Sequence, residues 1–172
     1  MPARYLPLLV FLIHGLQAQP CLSLSTGAVA QDGTATLDLT LNSSLEPPPA
    51  SLQWTFLFPS ADINSLIVDD GPATTAAGKT VICTGNAGAY TCLAVGKNAN
   101  TIANGVIARV TAVLAPSVAS AVISIRDSLG ASASGDFIPI ASAGGTITRA
   151  RMSPDRRLHP PLMRIAGRCL PQ

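Results

Sequence analysis

Polar and apolar residues alternate without a break over residues 34–41, Thr-Ala-Thr-Leu-Asp-Leu-Thr-Leu. Ala35, Leu37, Leu39 and Leu41 fall on one side and Thr34, Thr36, Asp38 and Thr40 on the other. A period of two places alternate side chains on opposite faces of an extended chain, so this segment predicts a strand with one wet face. Residues 51–58 repeat the pattern with heavier partners: Leu52, Trp54, Phe56 and Phe58 against Ser51, Gln53, Thr55 and Leu57. Prolines at 47–49 and at 59 bound this second strand, as expected of a residue that cannot donate to a ladder.

Further strands are expected over residues 22–25, 79–83, 90–95, 106–114, 118–127, 137–140 and 146–148. In the 118–127 segment Ala119, Ala121, Ile123 and Ile125 form the expected inner face. Residues 62–66 read as a short helical turn or a loop, and no segment carries a helical stripe. About nine short strands joined by turns rich in Gly, Ser, Asn and Pro predict an all-β sandwich or barrel.

Composition narrows the chemistry. The chain has 172 residues, enough for one ordinary domain, with 12% charged and 4% aromatic residues. Its two histidines, His14 and His159, both lie outside the strand-rich region, so no Ser or Cys there has an imidazole to activate it. Asp69-Asp70 is the one adjacent acidic pair of that region, but neighbours on a strand point to opposite faces. With Gly71-Pro72 following, the pair reads as turn chemistry rather than an acid/base dyad. The reading is therefore non-enzymatic, with no cofactor and no metal site.

The ends differ from the middle. Residues 1–19 read as a secretory signal peptide, with Arg4 at the start, an apolar stretch over 6–16 and Ala18 near a cleavage point. That stretch is too short to span a bilayer, and no other apolar run is longer, so no membrane span is expected after its removal. Residues 20–148 hold four basic and eight acidic residues, whereas 149–172 hold six Arg against Asp155 alone. The overall charge of +2 thus conceals an acidic domain and a basic tail rich in Arg and Pro, expected to be disordered. The tail's arginines lack interleaved aromatics, so nucleic-acid binding is not expected.

Export places the cysteines in an oxidising compartment. Cys83 and Cys92 flank a Gly- and Asn-containing reversal, which predicts a disulfide across a hairpin; Cys21 and Cys169 bracket the domain, and their pairing stays open.

Four stretches carry a resemblance to a known family: residues 27–37 with their Asp32-Gly33 turn, 52–59 ending in Phe58-Pro59, 102–110 with Asn104-Gly105, and 144–148 opening on Gly144-Gly145. In order and spacing they resemble a cohesin domain, the β-sandwich receptor module of cellulosome-type assemblies. The resemblance covers residues 22–148. It implies a nine-stranded jelly-roll-like sandwich that docks a dockerin-bearing secreted protein without catalysis, in the setting of polysaccharide breakdown.

It also implies a docking face that includes the outward residues of the second strand: Ser51, Gln53, Thr55 and Leu57. Well-studied members carry Asn and Asp where this chain has Ser51 and Gln53, a departure from known dockerin specificity. The alternative is a carbohydrate-binding module. Such modules stack sugar rings on exposed aromatics, and Tyr90 is the candidate contact here. Either reading puts the protein outside the cell or on its surface.

Overall fold

The alternating segments become two stacked sheets in the computed structural model, which describes residues 19–43 and 48–149. One sheet has five strands in the order β11 (Ala141–Ala143), β1 (Cys21–Leu24), β3 (Thr34–Asn42), β8 (Gly105–Leu114) and β5 (Ile63–Asp70). The other has seven. Six run in the order β2 (Gly27–Val29), β12 (Gly145–Arg149), β9 (Ser120–Ala131), β4 (Ser51–Leu57), β7 (Ala89–Val95) and β6 (Thr80–Asn86). The seventh, β10 (Phe137–Pro139), pairs with the far half of β9.

The predicted inner faces form the core. Ala35, Leu37, Leu39 and Leu41 of β3 are buried, as are Leu52, Trp54 and Phe56 of β4 and Phe58 just beyond it. Trp54 and Phe56 meet edge to face, with ring centroids 6.1 Å apart. Strands β8 and β9 add Val110, Ala112, Ile123 and Ile125 to the same core.

Twelve strands are described where about nine were expected, and the excess has physical causes. At Ser25-Thr26 the chain leaves the five-stranded sheet, so one extended segment counts as β1 and β2. The same happens at Gly144, between β11 and β12. Backbones touch at this second crossing: a Cβ on Gly144 would lie 2.3 Å from the Ile123 carbonyl oxygen, and one on Gly145 would lie 2.2 Å from that of Ser25. Only glycine fits there, which accounts for the Gly-Gly pair.

β5 was hidden for a different reason. A register shift between Ile63 and Ser65 breaks its alternation, leaving Asn64 and Ser65 both exposed between buried Ile63 and Leu66. The 62–66 segment is therefore a turn running into a strand. Asp69 and Asp70 end that strand rather than sit in a turn, and Asp70 Oδ1 accepts the Val81 N–H at 2.6 Å.

A five-residue helix that the sequence reading did not foresee, α1 (Pro72–Ala76), follows Gly71. Pro72 suits its first turn, where the missing N–H is no loss. Buried Thr74 ties it to the sandwich by donating to the Ile107 carbonyl at 2.6 Å. Two smaller corrections concern ends. Ala119 is exposed and precedes β9, so it is not part of the inner face. Arg149 belongs to β12, not to the tail; its guanidinium donates to the carbonyls of Val118, Leu114 and Ala115 at 3.2–3.4 Å. The proposed signal peptide, apart from Gln19, and the rest of the tail lie outside the described residues.

Candidate protein-docking face

The stapled hairpin is present. β6 and β7 are joined by a two-residue turn at Ala87-Gly88, and a disulfide links Cys83 to Cys92 directly across the ladder, with Cα atoms 4.0 Å apart. That spacing is the narrow, non-hydrogen-bonded kind of antiparallel pair. Cys21 is also disulfide-bonded. Cys169, with which its pairing was left open, lies outside the described residues. The Cys83–Cys92 bridge closes a loop of about ten residues, for which the chain-entropy argument gives about 2.5–3 kcal/mol. Replacing both cysteines with Ser is expected to lower the unfolding free energy by that amount, read as a lower denaturant midpoint with a slope no smaller than before, since the freed unfolded chain expands.

The bridge also fixes which way the hairpin points. Cys92 is buried and Cys83 packs against the core, so their neighbours along each strand must turn outward. Ile82 of β6 and Leu93 of β7 are paired in register on the outer side and are 59% and 39% exposed. The same register continues through Gln53 of β4 and Leu129 of β9 to Pro139 of β10. In the adjoining row, Thr80, Val95, Ser51, Ala131 and Phe137 stand side by side, with Phe137 69% exposed. Five strands at the usual spacing make this surface about 19 Å wide.

Of the five large hydrophobic side chains left exposed among the described residues, four lie on this outer face: Ile82, Leu93, Val122 and Phe137. Ile67, the fifth, is on the opposite sheet. That sheet's exterior is built differently. Asp38, Arg109 and Asp69 stand in one row across it, with Arg109 Nε 3.8 Å from Asp38 Oδ1. Both partners of that ion pair are well exposed, and such pairs stabilise little. The outer face of the five-stranded sheet therefore carries a row of charges among hydroxyls. That of the seven-stranded sheet carries four exposed apolar side chains, with hydroxyls and the charged Arg126 and Asp127 among them.

The four β4 residues proposed for docking lie within the apolar face, though not equally open. Ser51, Gln53 and Leu57 are half-buried. Thr55 is buried at the centre, its hydroxyl 3.0 Å from that of Thr91. Tyr90 is set apart from them. It pairs with Phe56, whose side chain is inside, and its ring stacks on Phe58 at 5.7 Å between centroids. The open aromatic is Phe137, and the sequence reading did not single it out. Nor did it single out Ile82 and Leu93, although the predicted disulfide contained the cue: a bridge pointing inward forces the residues beside it outward.

A turn bounds the face next to Phe137. The Asp136 carboxylate accepts from the hydroxyls of Ser134 and Ser132, and these bonds hold its acid below the usual carboxylate range. A carboxyl with a lowered folded-state value stabilises the turn above its unfolded value, and the gain is lost as pH falls through the lowered value. The amide signals of Ser132 and Ser134 are accordingly expected to shift as pH falls through that lowered value, and Asp136→Asn to abolish that transition. Among the described residues no three His, Cys, Asp or Glu side chains gather to hold a metal ion, and no helix is long and apolar enough to cross a membrane.

Comparison with known proteins gives a consistent fold. No protein-family model matches the sequence, and no curated protein matches it. Solved structures do. The sixth cohesin of scaffoldin B from Acetivibrio cellulolyticus, solved with a Cel5 dockerin, superposes with a TM-score of 0.66 at 15% identity, covering 77% of this chain and 100% of that one. The seventh ScaB type I cohesin of Pseudobacteroides cellulosolvens gives 0.62 at 16%, covering 82% and 98%. A non-cellulosomal cohesin from the hyperthermophilic archaeon Archaeoglobus fulgidus gives 0.60 at 12%, covering 77% and 92%. The fold is cohesin-like.

Proposed function

We propose that this chain is an extracellular, non-catalytic docking module, and that the outer face of its seven-stranded sheet receives a dockerin-type protein. The carrying observation is that Ile82, Leu93, Val122 and Phe137, four of the five exposed large hydrophobics among the described residues, all face outward on that one sheet. Exposed apolar patches rimmed by polar groups are typical of protein contact sites. Gln53, Ser51, Thr84 and Thr91 supply the amide and hydroxyls that orient a partner once water has left. The likeness to cohesins solved with dockerins supports the class of partner. The Cys83–Cys92 bridge and the leader-like first residues support export.

Direct carbohydrate binding is the weaker reading. Sugar rings stack on flat aromatic surfaces, but three of the four open hydrophobics are aliphatic, and Tyr90 is engaged with Phe58. The experiment is direct: immobilise the full oxidised chain and challenge it with secreted dockerin-bearing proteins of its own organism, and separately sediment it with insoluble cellulose. Retention of a dockerin protein with no co-sedimentation supports docking. Co-sedimentation without retention overturns it.

A further inference from the structure

The centre of the apolar face carries two charges that neither its fold nor its stability calls for. On β9 the register against β4 slips between Gln53 and Thr55: Gln53 faces Leu129 and Thr55 faces Arg126, so Asp127 and Ser128 together oppose Trp54. This is a β-bulge, in which one strand holds an extra residue. Asp127 takes the left-handed conformation, with φ 53°, and is the one non-glycine residue with positive φ among those described. Glycine would adopt that backbone without strain, whereas a side chain there is held against a steric cost.

The bulge leaves Arg126 on the outer face beside Thr55, and Asp127 exposed next to it. Among the described residues neither has an ion-pair or side-chain hydrogen-bond partner, and the one salt bridge is on the opposite sheet. The outward residues of the two rows from β6 to β10 are uncharged, as are Thr84, Thr91 and Thr55 in the next row, which Arg126 continues on β9. Charges are depleted at the centres of protein interfaces because covering an unpaired one removes its water without return.

We propose that Arg126 and Asp127 are the specificity determinants of this face. They admit a partner that brings a carboxylate to Arg126 and a cationic side chain to Asp127, and they reject partners that would cover the pair with apolar groups. The apolar residues around them supply attraction to many partners, and the charge pair supplies the penalty against the wrong ones. This inference rests on the docking reading of the same face.

The test uses a surface-displayed library of dockerin modules randomised at their contact positions, selected against the full oxidised chain. Selected modules are expected to carry Asp or Glu at a shared contact position. Against Arg126→Glu their affinity should fall at least about tenfold, and changing that acid to Arg in the module should restore binding to the variant. Asp127→Asn, which keeps a side chain suited to the left-handed backbone, should also weaken binding. Asp127→Gly should weaken it while raising the thermal midpoint, a split that a purely structural role for Asp127 would not produce. Binders unaffected by Arg126→Glu and by Asp127→Asn would overturn the inference and leave the docking face standing. A library yielding no binder to the unmodified chain would overturn both.

Discussion

Ile82→Lys is expected to weaken docking about a hundredfold while changing the unfolding free energy by no more than about 0.5 kcal/mol. Ile82 sits on β6, the edge strand of the seven-stranded sheet, with its side chain 59% exposed. A lysine there costs the fold little, because edge strands tolerate and often carry this residue. In the complex the same ammonium would be pressed against the apolar surface that had matched isoleucine. Leu93→Lys, across the ladder, should do the same to binding. Its neighbours are closer, at 39% exposure, so a somewhat larger stability cost is expected. Titration calorimetry against a retained dockerin protein reads the first quantity and denaturant unfolding the second. Unchanged affinity in both variants would remove the docking face from this side of the sandwich.

The largest stability effect belongs to Trp54. Its indole is fully buried, packed edge to face on Phe56, and lies where the β9 bulge doubles the residues opposing it. Trp54→Ala is expected to cost about 3–5 kcal/mol, from lost burial plus the cavity left behind. Small domains have about 5–15 kcal/mol in total, so the thermal midpoint should fall by more than about 10 °C. Trp54→Phe should cost much less. The indole Nε1 has no hydrogen-bond partner among the described residues, so removing it sacrifices volume but no polar contact. Calorimetric midpoints of the two variants test this. Equal losses would mean that Nε1 is engaged, and a small loss in Trp54→Ala would mean that the space collapses.

Trp54 and Ile82 also show how far the chain could be read before its structure was known. Trp54 was legible because β4 keeps a strict period of two between prolines, and its heavy side could only be interior. The Cys83–Cys92 bridge was legible from its spacing across a turn, but not the outward turn of Ile82 that follows from it. β5 and the Arg126–Asp127 bulge were not legible. Each depends on an extra residue in one strand, which shifts the alternation that makes strands recognisable. The direction of the Tyr90 side chain was not legible either, because pairing with Phe56, not composition, decides which way it points.

Local alternation, turn residues and cysteine spacing were enough to establish a β-rich domain with Trp54 inside and a stapled hairpin, since each depends on neighbours a few residues apart. The order of strands, and with it the gathering of Ile82, Leu93, Val122 and Phe137 onto one surface, came only from tertiary structure. Those four residues come from different strands spread over more than fifty positions of chain, and only the register between strands brings their side chains to the same side.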